Sequence, residues 1–201
     1  MMNNPTSNMA FNGDGTQLIT LVQNGGTYPA YYPLGTPYDP TSINGPIVIS
    51  PYSINGSASS GLFFADGGMK AYMTGSNSGF QWNLASPYDM ASFSGDADAT
   101  FSFSSVFTIG MSGMQQFALN ADGTIGYLGV LGGAFEGSMI QFSLGTAFDI
   151  STVNSTPVEL LPLGGGYGTY SGVALNSAGN KLIITGPNSS AQPVFYQLTG
   201  V

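Results

Sequence analysis

Apolar and polar positions alternate with a period of two over short stretches along the whole chain, and no apolar stripe at helical spacing competes with them. The alternation is clearest where Phe80, Trp82 and Leu84 fall on one face of a strand and Gln81 and Asn83 on the other. The same spacing groups Ala30, Tyr32 and Leu34, then Ile140, Phe142 and Leu144, then Val194, Tyr196 and Leu198. Each group predicts a strand with one buried face.

These strands belong to a repeat marked by two anchors. The first is an apolar strand ending in Asp-Gly: MAFNGDG at 9–15, GLFFADG at 61–67, FALNADG at 117–123, and a degenerate VALNSAG at 173–179. Taking Asp14, Asp66, Asp122 and Ala178 as markers, the steps are 52, 56 and 56 residues. The second anchor closes the next hairpin: LGTPYD at 34–39, LASPYD at 84–89, LGTAFD at 144–149, and a truncated LTG at 198–200. A period of about 40–50 residues is the mark of propeller blades or solenoid units.

Each repeat reads as four strands. Asp-Gly reverses the chain because Gly accepts positive φ and Asp bonds back to nearby amides. QLITLV, MKAYMT, TIGYLGV and KLIITG then form a second strand, and the alternating stretch a third. At the second anchor Asp39, Asp89 and Asp149 stand just ahead of Thr41, Ser92 and Ser151 in an Asx or Ser/Thr turn, with Tyr38, Tyr88 or Phe148 expected to pack across the joint to the next unit. PIVISPYSI, ATFSFSSVF and PVELLPL, ragged and bearing Pro, read as outer edge strands in three copies. The expected architecture is all-β: one propeller-like domain over 1–201, with antiparallel repeats near 9–56, 57–110, 111–165 and 166–201, about four strands per blade and the last blade incomplete. That gives fifteen strands where a closed four-bladed ring wants sixteen, so either Met1 to Asn8 closes the ring or the last edge is left for a partner.

Composition narrows the function. Lys70 and Lys181 are the only cations, there is no Arg or His, and the net charge of -8 argues against nucleic acid, whose binding displaces counterions from phosphates with cations. The absence of Cys removes disulfides and thiolate chemistry. No stretch approaches the roughly 20 apolar residues of a membrane span, and Met1 to Ala10 carries no basic residue and no apolar run of signal-peptide length.

Candidate chemistry is sparse. Asp14, Asp39, Asp66, Asp89, Asp122 and Asp149 occupy repeating turn positions, which favours a structural role over a catalytic one. Only Asp96, Asp98, Glu136 and Glu159 lie outside the pattern, and Asp96-Ala97-Asp98 is half of a calcium loop without its later Glu. The glycine-rich 132–133 and 164–168 lack the Lys-Ser/Thr ending of a phosphate loop. Trp82 sits on an apolar face and reads as core, while Tyr28, Tyr31 and Tyr52 are freer and could form an aromatic recognition surface. No catalytic, cofactor-binding or metal site is assigned, and the chain is not expected to be an enzyme.

With F-x-x-D-G-x-x-x-Y followed by L-x-T-P-Y-D, the chain resembles short propeller repeats of structural and tail-associated proteins of tailed bacteriophages. The resemblance implies a virion protein made in the host cytoplasm, a tail appendage or capsid decoration. It would act through contacts with other virion proteins, as a homo-oligomer, and by host adhesion to a surface glycan. A carbohydrate-binding surface propeller is the alternative, with a lactonase-like hydrolase third, since such propellers gather metal ligands on their axis and this chain has no His to offer. If function resides in this chain alone, it is expected at the irregular tips: Gln23 to Tyr28, Gly75 to Gly79, Gly132 to Ser138, Gly186 to Gln192.

Overall fold

In the computed structural model the described residues are 5–23, 26–51, 53, 61–75, 78–103, 107, 113–131, 138–162, 172–176, 181–185 and 194–198. They form four antiparallel sheets in chain order. The first holds β1 (Pro5–Phe11), β2 (Gln17–Gln23), β3 (Thr27–Pro33) and β4 (Val48–Ile49). The second holds β5 (Gly61–Ala65), β6 (Lys70–Thr74), β7 (Ser78–Asn83) and β8 (Ala99–Ser102). The third holds β9 (Gly113–Leu119), β10 (Ile125–Leu131), β11 (Ser138–Ser143) and β12 (Val158–Pro162), and the fourth only β13 (Gly172–Leu175), β14 (Lys181–Thr185) and β15 (Val194–Gln197). Each sheet is a meander whose strands pair in sequence order. This is the make-up of propeller blades, with the last one short of its outer strand among the described residues.

The inner strands neighbour one another: β1 lies against β5, β5 and β6 against β9, and β9 and β10 against β13. Between successive sheets sit three apolar clusters. Ile19 and Leu21 meet Leu62, Met73, Trp82 and Phe93 in the first joint. Tyr72 and Phe103 meet Phe117, Leu128, Ile140 and Phe142 in the second. Ala118 and Tyr127 meet Val173, Leu182 and Ile184 in the third. Both faces of a middle blade are therefore apolar, which is why β6 reads Ala-Tyr-Met rather than alternating apolar with charged. Trp82 lies in the core as expected, 1% exposed, with its Nε1–H donating to the Ser94 carbonyl at 3.1 Å.

Three expectations change. The outer strands are shorter: β4 keeps two residues of PIVISPYSI, and β8 ends at Ser102, where the Phe107 amide turns back to the Phe103 carbonyl at 3.0 Å. That turn brings the Phe103 and Phe107 rings to 5.7 Å and sends both into the second joint. The N-terminal segment from Pro5 extends β1, with Pro5 opposite Val22, and so does not supply an outer strand to the fourth sheet.

The third change concerns the first anchor. Hydrogen bonds from the second anchor make Gly15, Gly68 and Gly123 equivalent, because their carbonyls accept the amides of Tyr38, Tyr88 and Phe148. The counterpart of Asp14 and Asp122 in the second repeat is therefore Gly67, not Asp66, which is displaced by one residue and forced to φ 53°. The reason is local: NGDGT and NADGT carry an Asn and a Thr that ADGGM lacks. Asn12 Oδ1 accepts the Gln17 amide and Asn120 Oδ1 those of Thr124 and Ile125, while Ala65 offers no such acceptor.

Candidate functional site

The two anchors form one device. In every described second anchor the aromatic residue adopts a left-handed backbone: Tyr38 at φ 61°, Tyr88 at 59°, Phe148 at 60°. A bulky side chain pays roughly 1–2 kcal/mol for that conformation. The compensation is twofold. Each aromatic amide donates to the glycine carbonyl of its own repeat at 2.8–2.9 Å, and its ring lies on that glycine. A Cβ at Gly15, Gly68 or Gly123 would come within 2.5, 2.3 or 2.3 Å of the ring, and these glycines also stand at φ 73°, 88° and 71°. The aromatics thus pack first on their own repeat, not on the next unit. Tyr38 adds a hydrogen bond to the Gly13 carbonyl at 2.6 Å, and Tyr88 also reaches the preceding repeat, toward Gly13.

The carboxylates hold these turns together. Asp14 and Asp122 Oδ1 accept both the amide and the hydroxyl of Thr16 and Thr124, and Asp39 does the same for Thr41. Those hydroxyls, then the amides, hold the three carboxyl groups below the usual aspartate range. Asp149 accepts from Ser151 in the same way, whereas the Asp89 carboxylate accepts from the Ala91 amide and Ser92 bonds the Asp89 carbonyl instead. Ser92 instead belongs with Ser42 and Thr152: each hydroxyl donates to the carbonyl of the anchor Asp at 2.7–2.8 Å. This hydroxyl three residues after Asp is legible in PTS, MAS and IST, and of the three the sequence reading names Ser92.

The described carboxylates outside the repeat, Asp96 and Asp98, belong to one loop. Asp98 Oδ2 accepts the Asn83 amide at 2.6 Å, closing its loop onto β7, and Ser94 donates to the Asp96 carbonyl. Among the described residues no group of three or more acidic side chains could hold a metal ion. Tyr28 and Tyr31 are half-buried; Tyr52, Glu136, 132–133 and 164–168 lie outside the described residues, as do 24–25, 76–77, 132–137 and 186–192 of the irregular tips. On the axis, all four inner strands line one cavity of about 350 Å³, walled by Met9, Leu62, Phe117 and Val173 with Asn176 at its edge. The Asn176 Oδ1 accepts the Lys181 amide, and none of the side chains lining this cavity is titratable.

The notable surface is the face of each sheet turned toward the preceding repeat. Met9, Leu62, Phe117 and Val173 hold the same place on the four inner strands, since their neighbours Ala10, Phe63, Ala118 and Ala174 pair with equivalent residues of the second strands. Leu62, Phe117 and Val173 are 4%, 0% and 6% exposed, and Met9 is 71% exposed. After the second anchor, Met90 and Ile150 are buried against the preceding sheet, whereas the turn Pro40–Ser42 has no buried residue. Ile43 is 47% exposed where Phe93 is fully buried. The middle of this face, Leu18, Thr20, Val22 and Ala30, is shielded, so the open part is the inner and anchor end, where Phe11 and Tyr38 pair edge to face at 5.5 Å.

This arrangement defines the class: a β-propeller-like repeat protein. No protein-family model and no curated protein sequence matches the chain. Solved structures share the fold. A Bacteroides fragilis protein provisionally assigned as a 6-phosphogluconolactonase superposes with TM-score 0.54 at 14% identity, over 90% of this chain and 47% of its own. A Lactobacillus plantarum protein gives 0.53 at 10% identity, over 94% and 55%, and the Cps50 (Swd1) β-propeller domain of Myceliophteria thermophila gives 0.50 at 10%, over 92% and 50%. The chain spans about half the length of these three proteins, and at such identities the likeness establishes the fold alone.

Proposed function

We propose that the chain is a structural virion protein of a tailed bacteriophage, a tail appendage or capsid decoration, working through protein–protein contacts and host adhesion. The observation that carries the non-catalytic part is the use of its carboxylates. Asp14, Asp39, Asp89, Asp122 and Asp149 each accept the amide two residues on, so the repeated polar chemistry serves turns. What is left exposed on the first sheet is apolar, the character of an assembly surface. The virion assignment itself rests on the repeat motif and on a charge-poor chain without Cys. Antibodies against the chain should decorate tails or heads of purified particles; particles that carry none of it overturn the reading. The likeness to the Bacteroides fragilis protein raises a hydrolase as second reading, and a lactone substrate turned over above background would favour it.

A further inference from the structure

We propose that the open face of the first sheet is one half of a blade joint, and that its occupant is the fourth sheet of a second copy of this chain. The pairing is reciprocal, so two copies carry eight sheets into one ring. The proposal does not depend on the virion assignment.

At three joints within the chain, the face holding Leu62, Phe117 or Val173 is covered by the sheet before it. The first sheet presents Met9, Phe11, Pro40 and Ile43 in the same register, exposed. A surface built to receive a blade is best filled by a blade of the same kind. The fourth sheet offers the matching face, where Lys181 is exposed and Ile183 half-buried.

Charge fits the same pairing. In the first joint Gln17 of β2 faces Asp89 and Met90 of the next anchor across a gap of about 240 Å³. Lys181 holds the place of Gln17, because Asn12 and Asn176 each donate their amide to the carbonyl of the residue five positions on. Asp39 holds the place of Asp89, as its side chain caps the same turn. Fitting the fourth sheet onto the first of another copy therefore brings one of the chain's two cations to an anchor carboxylate.

Length agrees with this: the Cps50 (Swd1) β-propeller domain is matched by this chain over 50% of its own length, so two copies approach the size of that domain. A head-to-tail contact of this type closes when the rotation completes a circle.

Because the chain has no Cys, single cysteines report the contact cleanly. Pro40→Cys and Lys181→Cys replace exposed residues, so the core is untouched. Mixed and mildly oxidised, the two variants should give a covalent two-chain product several-fold in excess of either same-residue disulfide. Thr100→Cys, exposed on the outer strand of the second sheet, should give none with Lys181→Cys. In parallel, Met9→Asp with Ile43→Asp should turn a two-copy particle into single chains with an unchanged circular dichroism spectrum. Same-residue disulfides equal to the mixed one, or a wild-type chain that stays single or grows into open polymers, overturn the proposal. Neither result bears on whether antibodies label particles, so the two readings fail separately.

Discussion

The joint between the second and third sheets and the open face of the first carry the same positions in the same register, with opposite burial. Phe117 has no exposure, and its ring lies 4.9 Å from Phe63 and 5.7 Å from Phe103 of the preceding repeat; Met9, at the same place, is mostly exposed. What sets the burial of a repeat position is the neighbouring blade, not the residue, as expected where units are stabilised by nearest-neighbour interfaces.

The largest test of that contrast is truncation at the paired positions. Phe117→Ala should destabilise by about 3–5 kcal/mol in denaturant unfolding. Met9→Ala, measured in the Ile43→Asp background that keeps chains apart, should stay within about 0.5 kcal/mol, as for ordinary surface changes. Next comes the anchor that holds Ile150 in the joint. Gly123→Ala drives a Cβ into the Phe148 ring and should cost about 2–4 kcal/mol from overpacking and left-handed strain together. Gly67→Ala, at φ 62° with nothing within 4 Å, should cost only about 1 kcal/mol.

A smaller pair concerns two buried tyrosines. Tyr72 in β6 donates to the Phe148 carbonyl across the second joint at 2.7 Å, whereas the hydroxyl of Tyr127, its equivalent in β10, is buried without a partner. Burial raises the pKa of both, and the charges of Asp66 and Asp149 add to it for Tyr72. Tyr72→Phe should lose about 1 kcal/mol, and Tyr127→Phe should be neutral or slightly stabilising. The least effect is acid sensitivity. Because Asp14, Asp39 and Asp122 have lowered pKa values when folded, their contribution is present above the ordinary aspartate range and fades as pH falls through the lowered values. Asp122→Asn should flatten the dependence of the unfolding midpoint on pH in that acid window.

Much of the fold was legible in the chain. The period-two faces of Trp82 and Phe142, the Asp-Gly turns and the incomplete last repeat all reappear as sheets in the expected order. The one-residue displacement at Asp66 was hidden because Asp-Gly recurs there in letters; only the loss of Asn and Thr around it marks the shift. The left-handed aromatics were invisible for a physical reason, since propensity argues against φ near 60° for Tyr or Phe and only the glycine beneath the ring makes it tolerable. Nor could exposure of Met9 be read, because Met, Leu, Phe and Val are equally apolar and the sequence does not say which copy lacks a neighbour.

Whether the first sheet's open face is an unfilled blade joint is tested most directly by native mass spectrometry of the purified chain and its Met9→Asp, Ile43→Asp variant. The wild type should appear as two copies and the variant as one, both with the same strand content. A single-copy wild type would contradict the claim.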